Sequence, residues 1–583
     1  MRTCSLPRWR LLFFLFLAAL AGGVQAAQSD NKSDNKSDNK SDNTRVDLLI
    51  RNGVIYDGSG RAPVRGDVAV RDGRVVATGT LSNYTAAREV DAKGLAVAPG
   101  FVNMLSWAVE SLIYDGRGMS DIKQGVTLEV FGEGNSMGPV NDRVREEMVK
   151  TQSDIRYDVT WKTLGEYLDF LTRKGVSQNV ASFIGATTVR SYVLGYDDVA
   201  PTAQQLKQMQ DLVRQAMREG ALGVGSSLIY APASYAKTDE LIALASAAGE
   251  FGGGYISHMR SEGDRFLEAL DELIRISREA KVHAEAYHLK AGGQKNWPKM
   301  KQAIARIDAA RKEGLPITAD MYPYTAGATG LDAAMPTWVQ QGGIDGWVAQ
   351  LKKPDVRKKV IAEMRDPNAN WESLLLAAGS PDRVLLLGFK TDKLKPLTGK
   401  TLAEVAKMRG VSPEDAAIDL VIEDHTRVGT AYFLMSDDNV KLGLSQPWVS
   451  IGSDADAPAP EGPFLLSNPH PRAYGAFARF LGRYVRDEKV TTLQDAIRRL
   501  TRLPAQNFKL KDRGCLDQGC FADIVVFDPA KIADVATFEK PHQYSVGMVH
   551  VFVNGTQVLR DGEHTGAKPG QVVRGPGWVG WKK

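Results

Sequence analysis

Residues 252–293 read GGGYISHMRSEGDRFLEALDELIRISREAKVHAEAYHLKAGG, and the succession of patterns within them decides the fold. GGGYISHM is a short apolar run of strand character. Over 264–279, Phe266, Leu270, Leu273 and Ile274 recur on one helical face. KVHAEAYH is a second strand-like run. Strand, amphipathic helix, strand is the unit that builds parallel sheets. Both strands end in histidine, His258 and His288, in a chain with only 8.

The same alternation extends to both sides. Strand candidates are AVAPGFVNML, GVTLEVFGEG, NVASFIGA, ALGVGSSLIY, the two strands above, PITADMYPY and PWVSIGSDA. A second amphipathic helix is predicted over 203–219, where Leu206, Met209, Val213, Ala216 and Met217 share a face. Strands in this number, alternating with helices, predict a (β/α)8 TIM barrel over 99–500. The interval between Gly330 and Gln446 is too long for a connection. It predicts an inserted subdomain, 331–445, before the last barrel strand, with helices near 343–365 and 402–424. Residues 46–98 and 501–575 differ: apolar alternation broken by DG and NG turns marks antiparallel hairpins. The two flanks are expected to pair into one small β-sandwich.

The N-terminus carries a separate signal. Arg8, Trp9 and Arg10 precede the apolar LLFFLFLAALAGGV, and Val24, Gln25 and Ala26 approximate a small-x-small cleavage site. This predicts a signal peptide over 1–26 and an exported protein, periplasmic or secreted, without a membrane span in the mature chain. Residues 27–45 contain SDNKSDNKSDNKSDN, a repeat with no apolar residue, read as a disordered linker. The formal charge is +4 from 73 basic and 69 acidic residues. Removing Arg2, Arg8 and Arg10 with the signal leaves about +1, which excludes nucleic acid as an electrostatic partner. The mature chain keeps two cysteines, Cys515 and Cys520. In an oxidising compartment CLDQGC closes a small disulfide; two free thiols are the alternative.

In such barrels the C-terminal ends of the strands carry the chemistry. His258 ends the fifth strand, His288 the sixth and Asp454, in IGSDADA, the eighth. Two neutral imidazoles suit zinc, and a carboxylate at the same rim can move a proton, which together predict a metal-dependent hydrolase. Asp456, two residues on, is the rival base.

Several strings carry a family resemblance. The PGF turn at Pro99–Phe101, SHMRSE, HLKAGG, DMYPYTAG, GSDADA, HPRAYGAFARFLG and the closing ADIVVFDP resemble the amidohydrolase superfamily, and within it the D-aminoacylase (N-acyl-D-amino-acid deacylase) branch. The resemblance spans about 46–575. It implies a zinc hydrolase that cleaves N-acyl-D-amino acids or D-amino-acid dipeptides by attack of a metal-activated water. His258 and His288 match the family's zinc histidines, and Asp454 its general base. Lys290, Tyr324 and Arg472 match groups that hold the substrate carboxylate, a role suited to a cation, a phenol and a guanidinium.

Two departures stand out. Where the superfamily has paired histidines after the PGF turn, this chain has NMLSWAVE, with Leu105 and Trp107. Neither binds zinc, so one zinc per chain is expected. The family's bridging cysteine is also absent: the turn reads FGEGNSMGP, with Gly134 at the cysteine position. We read Glu133 as the third ligand, because Glu129, Phe131 and Glu133 share a strand face and Glu133 lies nearest its end. The alternative is that Glu133 orients a ligand from behind. On the same fold, a metallo-dipeptidase or cyclic-amide hydrolase is the second enzymatic reading. A catalytically inactive exported binding protein is the third.

Overall fold

In the computed structural model the strands read between 99 and 454 form a ring. The structure describes residues 44–580. The segment read as an export signal, and all of the expected linker except Thr44 and Arg45, lie outside the described residues. In chain order the ring strands are β1 (Phe101–Asn103), β2 (Val126–Phe131), β3 (Asn179–Ser182, continued by Ile184–Gly185), β4 (Gly223–Ser227), β5 (Gly254–His258), β6 (Ala284–Ala286), β7 (Ile317–Met321) and β8 (Val449–Ile451). Their ladders are all parallel. β8 meets β1 where Met104 N–H donates to the Ile451 carbonyl (3.4 Å) and Asp454 N–H to the Leu105 carbonyl (2.8 Å). Closure leaves no open edge.

The helices form where their spacing placed them. Phe266–Ala280 buries Phe266, Leu270, Leu273 and Ile274. Ala203–Arg218 starts from a capping box of Thr202 and Gln205 and buries Met209, Val213, Ala216 and Met217, leaving Leu206 half-buried. Each fully buried side chain of this size contributes roughly 1.5–3 kcal/mol.

Inside the ring, Val102, Leu128, Val130, Phe183, Ile256 and Tyr287 pack into a lumen core. The sequence assigned 501–510 to the terminal β layer, but Ala505, Phe508 and Leu510 belong to this core instead. Gly254, at the start of β5, faces the Phe508 ring, so these residues plug the floor of the barrel. The tail also runs beneath the barrel: Val573 N–H donates to the Val180 carbonyl and Gly575 N–H to that of Gly220, both at 2.8 Å. With the floor sealed, the C-terminal rim is the face left for chemistry.

The two flanks join in one nine-stranded sheet. Its joint is Ala96–Pro99 against Ile524–Phe527, antiparallel, with Val525 opposite Ala98. The expected sandwich is a single sheet curled over its own core. Val75 N–H donates to the Cys520 carbonyl (2.9 Å), and Ile50, Val68, Val75, Ile524 and Phe552 share one interior. Cys515 and Cys520 form a disulfide.

Two strands of the insertion, Val384–Gly388 and Gly429–Tyr432, build a three-stranded antiparallel sheet with Gly327–Gly330, which precedes the expected start at 331. Helices Gly343–Leu351, Pro354–Arg365, Leu402–Arg409 and Pro413–Asp424 surround it. Helix Asp437–Leu444, which the sequence placed in the insertion, lies against the barrel: Gly443 abuts Met321 of β7 and Met300. Among the described residues no helix is long and apolar enough to cross a membrane.

Candidate metal centre

The rim residues reach one point because the backbone turns as each strand ends. His258 is the last residue of β5. β6 stops at Ala286, and His288 adopts φ +35°, held by its N–H donating to Asp320 Oδ1 (2.9 Å). Asp454 lies past β8 at φ +50°. Such backbone is strained for non-glycine residues and is tolerated where the surroundings enforce it.

Glu133 reaches the same point by a route that the alternation did not foresee. Leu128 and Val130 face the lumen, whereas Glu129 faces outward, accepting from Asn103 (3.1 Å) behind the wall. Simple alternation would therefore send Glu133 outward with Glu129. Gly132, at φ +108°, resets the direction and turns Glu133 inward. Gly134 cannot carry a ligand in this turn, because a Cβ there would stand 2.6 Å from Ser227 Cβ. The carboxylate one residue earlier is the available donor.

Glu133, His258 and His288 are all buried, and their ligand atoms lie within 4.8 Å of one another. Glu133 Oε1 is 3.0 Å from His258 Nδ1 and 3.0 Å from His288 Nε2. Ligands at ~2.0–2.1 Å from a tetrahedral zinc lie about 3.3 Å apart, so this donor set fits zinc with little adjustment. His258 presents Nδ1 to this point, while its Nε2, on the far side of the ring, is buried without a hydrogen-bond partner among the described residues. Burial alone would raise the Glu133 pKa, but hydrogen bonds from His258 and His288 hold it well below the carboxylate range.

Asp454 sits beside the cluster, with Oδ2 2.8 Å from Arg472 and Oδ1 accepting from Trp107 Nε1 at 3.1 Å. Burial raises its pKa and Arg472 opposes that, leaving it above the ordinary value. Asp456 is exposed.

The expected carboxylate-holding set is only partly assembled. The Arg472 guanidinium lies 4.5 Å from the centre of the Tyr322 ring, and its Nε has no hydrogen-bond partner among the described residues. Lys290 is buried but committed: its ammonium donates to Glu262 Oε1 (2.6 Å) and contacts His288 Nδ1 (2.8 Å). Tyr324 is a correction. Its hydroxyl lies 3.4 Å from the Pro471 carbonyl and 3.5 Å from Asp534 Oδ2, and Arg479 stacks on its ring at 4.7 Å. Tyr322 is the tyrosine of this motif beside the site, with its ring 6.2 Å from that of His288. Pro323 turns the chain after β7, so two residues in one motif point to different environments.

The sequence reading also passed over two carboxylates. Glu262 lies 2.9 Å from His288 Nδ1, fixing that imidazole from behind, and 3.6 Å from His258 Nε2, beyond hydrogen-bond reach. Glu372, from the insertion, accepts from the backbone N–H groups of Glu262 (3.0 Å) and Gly263 (3.1 Å). Glu262 stands in the SHMRSE string, but nothing in the sequence links it to Glu372.

Residues 88–559 match the amidohydrolase family. A D-aminoacylase of Alcaligenes xylosoxydans xylosoxydans is 34% identical over 535 residues, 90% of this chain and 97% of that one. The crystal structure of N-acyl-D-glutamate deacylase from Bordetella bronchiseptica, complexed with zinc and a phosphonate mimic of the tetrahedral intermediate, superposes with a TM-score of 0.76. That protein is 30% identical, and the match covers 91% of this chain and 100% of that one. A D-aminoacylase structure described as having a binuclear metal centre, with one-metal activation and second-metal attenuation, is 30% identical with a TM-score of 0.75 over the same shares. With a rim of two histidines and two carboxylates on a parallel barrel, and with matches along most of its length, the chain belongs to the amidohydrolase family.

Proposed function

We propose that this protein is a zinc-dependent deacylase of N-acyl-D-amino acids that works with one zinc held by Glu133, His258 and His288. The observation that carries the reading is the convergence of the two imidazoles on Glu133 Oε1, with Asp454 and Arg472 beside them. The relatives named as D-aminoacylase and N-acyl-D-glutamate deacylase support the substrate class. Zinc at such a site polarises a carbonyl and makes water a better nucleophile near neutral pH.

The chain's own residues supply the rest. Asp454 takes a proton from the attacking water and delivers it to the leaving nitrogen, for which a raised pKa is suited. Arg472, with an unpartnered Nε, and Tyr322 beside it receive the free carboxylate of the substrate. Fixing the carboxylate on that side and the scissile amide at the metal leaves two directions for the remaining substituents, which is how handedness is read. Glu262 and Lys290 hold His288 in place.

The test is a panel of N-acetyl-D-amino acids beside their L-enantiomers, D-terminated dipeptides and cyclic imides, with zinc measured on the same preparation. Stereospecific release of the D-amino acid is expected. Stoichiometric zinc with turnover of cyclic imides alone would replace this reading, and an inert, zinc-free protein would remove it. We further propose export, supported by the first 26 residues and by the Cys515–Cys520 disulfide, since such bonds persist in oxidising compartments. An intact Met1 in secreted material would refute cleavage of the signal.

A further inference from the structure

We infer that Trp107 is a positioning residue that stands in for a second cation, its single N–H bridging the ligand Glu133 and the base Asp454. Indole Nε1 lies 2.9 Å from Glu133 Oε2 and 3.1 Å from Asp454 Oδ1. Two buried carboxylates facing one point need a positive charge or a donor between them. A second metal would supply the charge; here the group that joins these two oxygens is an N–H. An indole nitrogen donates and cannot ligate, so it fills the position and closes it to an ion.

The bridge also acts on the metal that remains. With Oε2 tied to Trp107, Glu133 offers only Oε1 to the two imidazoles, at 3.0 Å from each. The carboxylate is thereby held one-sided before any metal arrives. The indole is itself anchored to the segment that carries the base. Asp454 N–H donates to the Leu105 carbonyl (2.8 Å), Trp107 N–H donates to the Ala455 carbonyl (3.0 Å), and Ser106 pairs with Ala455 in a parallel bridge. Leu105, beside it, packs in the lumen core. Residues 105–107 and 454–455 thus form one short ladder, which fixes donor and base relative to each other.

This inference rests on Glu133, His258 and His288 holding the metal. Its test is metal binding, not turnover. Metal-stripped protein is titrated with zinc against a chromogenic chelator, and metal content is measured after equilibration with excess zinc. The wild type should take up one equivalent. Trp107→Phe keeps an aromatic ring and removes the N–H. It should bind zinc roughly 10- to 100-fold more weakly, the usual effect of losing a partner behind a ligand, while circular dichroism shows the metal-free variant still folded. Wild-type zinc affinity in a folded Trp107→Phe would overturn the bridging role. Two equivalents tightly bound by the wild type would overturn the exclusion, whatever the fate of the variant. No zinc in the wild type would instead defeat the reading of the metal site on which the inference stands.

Discussion

Replacing Asp454 with asparagine separates proton transfer from metal retention. The amide keeps the size of the carboxylate and still offers Trp107 an acceptor, now held at 3.1 Å, but it cannot take a proton. General acid–base help is worth roughly 10²–10⁴ in rate. At about 1.36 kcal/mol per decade, that corresponds to about 2.7–5.4 kcal/mol of barrier. Asp454→Asn should therefore lose at least about a hundredfold in kcat. Its zinc should stay, because Asp454 meets the ligand set only through Trp107. The structural cost falls on Arg472, which loses a carboxylate 2.8 Å away but keeps the Ala328 carbonyl at 3.1 Å and the Tyr322 ring. Breaking a buried pair costs about 3–5 kcal/mol, and exchanging a buried charge for a neutral amide returns part of it, so the variant should stay folded. The assay is kcat and KM for amino-acid release from an N-acetyl-D-amino acid, with zinc content and circular dichroism on the same sample. Asp456→Asn, at an exposed position, is the control and should remain active. A dead Asp456→Asn beside a nearly fully active Asp454→Asn would refute the assignment. Joint loss of zinc and activity in Asp454→Asn would move Asp454 among the ligands.

Further tests address the other groups. Glu133→Gln should weaken zinc binding by more than the ~10- to 100-fold typical of a partner behind the ligands; a smaller loss in a chelator competition would demote Glu133 from ligand to support. Tyr322→Phe should raise KM by roughly tenfold to a hundredfold, the ~1.5–3 kcal/mol of a hydrogen bond to a charged group, whereas Tyr324→Phe should leave KM unchanged; the reverse pattern would restore the sequence-based choice. Activity needs Asp454 ionised, and burial places its pKa above the ordinary value, so kcat/KM should fall as pH drops through a limb above the usual aspartate range. Arg472 opposes that shift, so Arg472→Ala should move the acid limb to still higher pH, and a limb that stays or moves lower would contradict the pairing.

The barrel was legible because period and length speak clearly within an element. Phe266, Leu270, Leu273 and Ile274 announce a helix, and the same residues are buried in it. The floor plug was not legible, because Ala505 and Phe508 lie in and just after a helix, Arg502–Asn507, too short to show a period, and its destination depends on the lumen above it. Strand ends were readable only in part. His258 is still within β5, so its alternation holds. Glu133 was chosen by an alternation that Gly132 breaks, and its carboxylate reaches the two histidines by that turn instead. Tyr324 was chosen from the DMYPYTAG motif, and the turn at Pro323 leaves its hydroxyl near the Pro471 carbonyl and Asp534 instead. The motif resemblance named the strings that build the rim, but not which tyrosine of DMYPYTAG stands beside His288.

Trp107 marks a different limit. The sequence established that tryptophan and leucine cannot bind zinc, which is a statement about what the position lost. What it gained depends on Glu133 and Asp454, 26 and 347 residues away, both turned toward the indole by backbone at positive φ at or beside them. Long-range polar contacts of this kind have no local period. Glu372 reaching the loop of Glu262 across 110 residues is another. Such contacts are also what the function depends on, because a barrel tolerates many side chains on its helices but only a few that satisfy a buried carboxylate. On the proposed reading, the Trp107 N–H joins the two carboxylates that a second cation would otherwise neutralise.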